Sequence, residues 1–394
     1  MSVTGKVDTD FTRDDVGNFV SGRAVTATLR VSPNGDGSNG LSWPTAYTTI
    51  EDALDALDAA STDKGDCTLI LISPHETNYN INTADDPTWA ANVILMGTHR
   101  NWTSIKNTHA SATSIMKLTG KSAAIDLNFH LGSGSVNGLI MTRGGCRGYN
   151  LQFIGKDLTG AATALWIDAD SKRHAKLVDC NFLGHVTHMT ALKVDQMAYS
   201  LFDNIRIHDC LVGIHIVGAA SDKNIFSDID LGDSALGLDI DAGSEQHFRE
   251  ITLHHNTTNV DDEVGDHEWT NIFGSFPIIV LPDNLTGTTV NTNVAADTWG
   301  VDTELLAAVG RDKPFRIVGI HTEPSAAGWF SVRFSADGGA THYDVLLFDG
   351  TKREGIAAPS GTEFIFNKGT RISASAKSDT GGDSVQIWLE IQEI

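Results

Sequence analysis

Residues 34–60 read NGDGSNGLSWPTAYTTIEDALDALDAA, seven turn-forming or small polar residues followed by one short amphipathic helical pattern that then stops. Thr48 and Glu51 have the spacing of a capping box, and Ile50, Ala53, Leu54 and Leu57 then share one face of a helix of about three turns. The roughly two hundred residues beyond it show almost no helical period. A lone helix ahead of such a stretch needs a reason, and the reason lies in what the later stretch repeats.

After residue 130 a small residue, an apolar residue, any residue and a second apolar residue recur as a unit. The copies are Gly138-Leu139-Ile140-Met141, Ala164-Leu165-Trp166-Ile167, Ala191-Leu192-Lys193-Val194, Gly213-Ile214-His215-Ile216 and Gly237-Leu238-Asp239-Ile240, spaced by 22 to 27 residues. A second series, polar then apolar-x-apolar, keeps phase with the first. It runs Asn150-Leu151-Gln152-Phe153, Asp179-Cys180-Asn181-Phe182, Asn204-Ile205-Arg206-Ile207, Asp228-Ile229-Asp230-Leu231 and Glu250-Ile251-Thr252-Leu253. Each copy holds period-2 strands between Gly, Asp, Asn or Ser turns and is too short to bury its own apolar face, so it must stack on its neighbours. Strands at this spacing without intervening helices predict the coils of a parallel β-solenoid, with equivalent positions of successive coils about 4.8 Å apart. Phe202, Phe226 and Phe248, at one fixed offset from the second series, predict an internal aromatic stack.

A solenoid end exposes strand edges and core side chains unless it is capped, which gives the short helix its expected role as a lid. The same region resembles the right-handed parallel β-helix proteins of the pectin-lyase-like kind. The resemblance is carried by the turn Asp36, Gly37, Ser38, Asn39, Gly40, by Ser42-Trp43-Pro44-Thr45-Ala46-Tyr47 and by the helix, and it covers roughly residues 30–275. Asn34, Asp36 and Ser38 also fall at the first, third and fifth positions of a calcium loop. Asn39 replaces the glycine of such a loop and Thr45 its bidentate Glu, so the segment is read as a turn.

Beyond Phe276-Pro277 the pattern changes to longer alternating strands beginning at Phe315, Trp329, His342, Thr362 and Val385. Asp337-Gly338-Gly339 and Asp379-Thr380-Gly381-Gly382 read as hairpin turns between them. The expected fold is therefore all-β: an N-terminal arm over residues 1–30, a right-handed parallel β-helix with an N-terminal capping helix over 31–275, and a C-terminal antiparallel β-sandwich, jelly-roll-like, over 276–394.

The 394 residues carry 28 Lys+Arg against 50 Asp+Glu, a net charge of −22, which argues against nucleic acid and against an anionic membrane surface as partners. The first thirty residues show no apolar run of signal-peptide or membrane-spanning length, so the expectation is synthesis in a cytosol and no membrane insertion. Cys67, Cys146, Cys180 and Cys210 have no C-x-x-C spacing and are expected to be buried thiols. No cofactor is indicated. The phosphate-loop, G-x-S-x-G and H-E-x-x-H signatures are absent.

Chemistry on the trunk would come from the outward positions of the first series. Ile140, Trp166, Lys193, His215 and Asp239 form one expected ladder, of which Trp166, Lys193, His215 and Asp239 are the candidate glycan-binding residues. Asp168, Asp195, Val217 and Asp241 form the ladder beside it. Asp168 and Asp195 on adjacent coils, at about 5 Å, have roughly the separation of a retaining glycosidase pair, which makes Asp168, Asp195 and Asp241 the catalytic candidates if the chain is an enzyme. Against this, Asp is common where a strand turns a corner, and solenoids align like residues without a catalytic cause. The paired Asp-Asp and His-Gly motifs of polygalacturonases are also missing. His185, His188, His208, His215, His247, His254 and His255 are read as exposed or hydrogen-bonded, and no metal is expected.

An arm, a β-helix trunk and a terminal β-sandwich together resemble the spike, fibre and decoration proteins of tailed-virus particles. That resemblance implies a homotrimer on the virion surface, assembled in the host cytoplasm, docked to other virion proteins through the arm and in contact with host surface polysaccharide. The alternatives are a polysaccharide hydrolase or lyase of the tailspike kind and a bacterial surface adhesin.

Overall fold

The computed structural model describes residues 25–393, except 59–66, 76, 83–91, 100–102, 110, 121, 133–135, 143–144, 169–173, 275–277, 282–286, 308–313, 337–342, 350–353, 358–364 and 368. Most of the expected arm, Phe276-Pro277 and the Asp337-Gly338-Gly339 turn thus lie outside the described residues. Val25–Val31, at the end of that arm, is a strand paired in parallel with Cys67–Ile72. The chain divides into two compact units, residues 1–259 and 260–394.

The first unit is a parallel β-solenoid of about 8 turns. One sheet stacks Val25–Val31, Cys67–Ile72, Val93–Gly97, Ala123–Ile125, Arg147–Tyr149 and Lys176–Leu183, and continues through Leu201–His208, Ile225–Gly232 and His247–His254. Lys176–Leu183 also pairs with Gln152–Ile154, because the earlier coils divide into two short strands what the later coils run as one. A second parallel sheet stacks Ser114–Thr119, Asn137–Thr142, Ala162–Asp168, Met189–Asp195, Val212–Val217 and Leu236–Ile240. The two sequence series are these two sheets. Leu139, Leu165, Leu192, Ile214 and Leu238 stand in one register row, and Cys180, Ile205, Ile229 and Ile251 in another.

The leading polar residue of the second series has a conformational cause. Asn150, Asp179, Asn204, Asp228 and Glu250 all adopt positive φ, between 48° and 58°, where the chain bends within each coil. Asn and Asp tolerate that left-handed region better than other side chains because they hydrogen-bond locally. They also bond from coil to coil: Asn204 Nδ2 donates to Asp179 Oδ1 at 2.5 Å, and Asn150 donates to Asp126 in the same way. The interior is apolar and stacked. Phe202, Phe226 and Phe248 lie with ring centroids 4.6 and 5.1 Å apart, as their spacing predicts. A second stack, Phe129, Phe153 and Phe182 at 5.1 and 4.8 Å, occupies the last position of the second series and passes to Ile207 in the next coil. All four cysteines are buried, and burial pushes the Cys146 thiol up to about 12.

Residues 34–47 fold back on the first strand. Tyr47 N donates to Arg30 O at 2.9 Å, Gly37 N to Ala46 O at 3.0 Å, and the Arg30 guanidinium lies 5.8 Å from the centre of the Trp43 ring. Gly35 is required by close approach, since a Cβ there would stand 2.1 Å from Ala46 O. Asp36 Oδ1 accepts from Ser38 N at 2.9 Å, so the calcium-like spacing forms a side-chain turn. The helix spans Ile50–Asp58, and its cap is Thr49 rather than Thr48. Asp52 N donates to Thr49 Oγ1 at 3.1 Å and the Thr49 hydroxyl donates to Asp52 Oδ2 at 2.6 Å. Glu51, the expected partner, instead accepts from Asn82 N at 3.1 Å. Ile50, Ala53 and Leu57 are buried and Leu54 is half-buried.

The second unit holds two antiparallel sheets. Ile278–Leu281, Ser384–Glu393, Phe315–Pro324 and Glu354–Ala357 are neighbours in one; Thr303–Leu306, Ile372–Ser378, Trp329–Ser335 and Tyr343–Asp349 are neighbours in the other. Val385, Ile387, Leu389 and Phe315 of the first sheet share one buried cluster with Phe330, Val332, Ile372 and Ala374 of the second. The Asp379-Thr380-Gly381-Gly382 segment has the positive-φ glycines of a turn, yet it is not a hairpin. It carries the chain from Ile372–Ser378 in one sheet to Ser384–Glu393 in the other. Asp383 Oδ2 accepts from Ser378 Oγ and Thr380 Oγ1 at 2.9 and 2.6 Å and so holds the crossing in place.

Candidate functional site

Successive outward positions of the second sheet form the expected ladder. Ile140, Trp166, Lys193, His215 and Asp239 are register partners from coil to coil, so their Cα atoms step by about 4.8 Å. Ile140 departs from expectation. It is buried, 5% exposed, because it stands between Lys117 and Trp166 in the row and longer side chains flank it on both sides. The other members are half-buried. Lys193 Nζ lies 4.6 Å from the centre of the Trp166 ring, a cation–π contact that covers one face of the indole. Trp166 Nε1 is buried and has no hydrogen-bond partner.

The carboxylates separate into two groups. Asp168 and Asp195 are register partners on adjacent coils. The Asp195 carboxylate lies against Gly218, whose φ of 83° and lack of a side chain both suit the place, since a Cβ there would stand 2.6 Å from Asp195 Oδ1. Val217 follows Asp195 in the row and interrupts it. Asp241 belongs to a different set: His215 Nε2 is 2.8 Å from Asp241 Oδ2 and 3.5 Å from Asp239 Oδ2. One imidazole thus sits between two carboxylates. Row-by-row reading of the sequence does not find this trio, because Asp241 is two residues past Asp239 and reaches back to the preceding coil.

The face can therefore offer an aromatic edge, an ammonium, an imidazole and carboxylates in a line. Polar groups of this kind can hydrogen-bond sugar hydroxyls, and the half-covered indole can pack against a sugar ring. Away from it, the His185 and His188 rings lie 4.7 Å apart with their planes tilted by 36°, and Thr187 Oγ1 is bonded to His185 Nδ1 at 3.0 Å.

The coil plan is that of a parallel β-helix. No protein-family model matches the chain, and no curated protein matches it. Solved structures similar to it include a rhamnogalacturonan lyase, at 9% identity and TM-score 0.38, covering 58% of this chain and 69% of that one. Pectate lyase Pel9A is similar at 12% identity and TM-score 0.38, covering 71% and 74%. A tailspike protein of E. coli bacteriophage HK620 is similar at 8% identity and TM-score 0.38, covering 86% and 89%.

Proposed function

We propose that the chain is a non-enzymatic structural or adhesion protein of a tailed-virus surface, and that the face bearing Trp166, Lys193, His215 and Asp239 contacts a host glycan. The observation that carries this is the ladder itself: a stacking, a cationic and two hydrogen-bonding groups follow one another along the outward face at the strand spacing, which suits an extended polymer better than a small molecule. The reading without catalysis is supported by the arrangement of Asp168, Asp195 and Asp241. Val217 separates Asp195 from the Asp241 coil, and Asp241 is engaged by His215. The same proposal includes residues 1–30 as a docking arm for other virion proteins, the Ile50–Asp58 helix as the lid of the β-helix, the C-terminal sheets as a jelly-roll-like sandwich, and a homotrimer.

Immobilised capsular and O-antigen polysaccharides provide the test. Wild type is expected to bind at least one of them, and Trp166→Ala with Lys193→Ala to weaken binding at least about tenfold while release of reducing ends or unsaturated sugars stays at background. Turnover that disappears in Asp168→Asn or Asp195→Asn would instead make the chain a depolymerase. Light scattering is expected to give about three times 42.2 kDa.

A further inference from the structure

A separate group of side chains gathers at the corner that follows Leu201–His208, Ile225–Gly232 and His247–His254. His208, Gly232 and His254 are register partners on three successive coils. Their outer members are two strand spacings apart, about 9.6 Å between Cα atoms, yet the two imidazole centroids are only 5.6 Å apart. The rings lean together over the middle coil, and Gly232 makes the room: a Cβ there would lie 2.1 Å from His254 Cε1. Asp230, from that same middle coil, reaches both rings. Its Oδ1 is 3.0 Å from His254 Nε2 and its Oδ2 is 3.6 Å from His208 Nε2.

The far side of each ring is engaged as well. His208 Nδ1 faces Asp233 Oδ2 at 3.8 Å, His254 Nδ1 faces His255 Nδ1 at 3.4 Å, and His255 Nδ1 faces Asp233 Oδ1 at 3.5 Å. Asp233 and His255 both hold positive φ at the corner, which turns them back toward the rings. Asp233 and His255 thus lie on the Nδ1 sides of the two rings, where outer partners of ligating imidazoles commonly stand in metal sites.

The geometry points to a binding site for one divalent transition-metal ion of the Zn²⁺ class, held by His208 Nε2, His254 Nε2 and the Asp230 carboxylate and clamping three coils together. The three side chains bring their ligand atoms within 4.8 Å of one another. A tetrahedral ion with nitrogen and oxygen ligands at about 2.0–2.2 Å sets those atoms about 3.3–3.6 Å apart, and Asp230 presents Oδ1 at 3.0 Å from His254 Nε2 and Oδ2 at 3.6 Å from His208 Nε2, close to that spacing. Two imidazoles and one carboxylate select Zn²⁺, Co²⁺ or Ni²⁺ over Ca²⁺ or Mg²⁺, which take oxygen ligands. The ligands are 27–38% exposed, so the fourth position is open to water. The His215, Asp239 and Asp241 trio offers one imidazole in place of two and is the poorer ligand set for such an ion.

The full chain, without an affinity tag and stripped with EDTA, is titrated with CoCl₂ and then ZnCl₂. Visible d–d absorption of low-coordinate Co²⁺ is expected to saturate at about one equivalent per chain and to be displaced by Zn²⁺. His254→Gln and His208→Gln are each expected to abolish the band and weaken Zn²⁺ binding at least about a hundredfold, Asp233→Asn to weaken it about tenfold, and His185→Gln to change nothing. Zn²⁺ is expected to raise the melting temperature of wild type and of neither ligand variant. Circular dichroism identifies any variant that fails to fold, and the other ligand variant then decides between the outcomes. No band at one equivalent in wild type, or a band that survives either folded ligand variant, would overturn the site and leave the cluster as hydrogen-bonded side chains only.

Discussion

The two units bury apolar side chains by different rules. In the solenoid each residue meets its own equivalents from the coils before and after, so Phe226 packs between Phe202 and Phe248 and Asn224 bonds between Ser200 and Gln246. In the C-terminal unit the strands are antiparallel, and a residue meets side chains unrelated to it in sequence, as Phe330 does opposite Ser378. A parallel in-register stack concentrates its energetics in rows, whereas an antiparallel pair of sheets spreads it over a shared core. Substitutions should therefore propagate along a row in the first unit and stay local in the second.

The largest expected effect tests that contrast directly. Phe226→Ala should cost about 3 to 5 kcal/mol in chemical denaturation, and a double-mutant cycle with Phe202→Ala should show coupling of about 0.5 to 3 kcal/mol. Phe330→Ala in the C-terminal core should cost a similar amount but show little coupling to a residue more than about 10 Å away. Additive Phe202 and Phe226 losses would break the comparison. Next in size is the buried polar row. Ser200 N donates to Asn224 Oδ1 at 3.0 Å, Asn224 Nδ2 donates to Met197 O at 2.8 Å, and Asn224 is fully buried. Asn224→Ala strands both partners, and a loss of about 1 to 3 kcal/mol is expected from melting curves.

Thr49→Ala removes the helix cap and should cost about 1 kcal/mol, with faster amide exchange at Asp52 as its local signature. The smallest effect is confined to acid pH and to the second unit. Burial alone would push the Asp262 carboxyl up, but the His267 imidazole at 3.5 Å and the Val264 and Gly265 amides at 2.9 Å outweigh it and hold the group below the usual carboxylate range. A depressed folded-state pKa adds stability that is present above the unfolded value of about 3.9 and lost as pH falls through the folded one. The stability difference between wild type and Asp262→Asn should therefore shrink as pH is lowered from about 5 toward 2. A difference independent of pH over that range would remove the carboxylate from the account.

By itself the sequence determined the coil plan, because a parallel stack in register writes its geometry as a repeat. The small residue, the apolar pair and the polar residue that takes the left-handed bend recur at each turn, and the phases of the two series set which residues share a row. The outward order Trp166, Lys193, His215, Asp239 was legible for the same reason. Only the tertiary structure decided what happens between rows and between sheets. Ile140 is buried because its row neighbours are long. Asp379-Thr380-Gly381-Gly382 joins two sheets because Ser384–Glu393 finds its partners in Phe315–Pro324. His208, Asp230 and His254 converge because Gly232 leaves the space into which the rings lean. A repeat specifies where each Cα stands, but the direction of a side chain follows from the volume its neighbours leave empty, and that volume exists only once the coils are stacked.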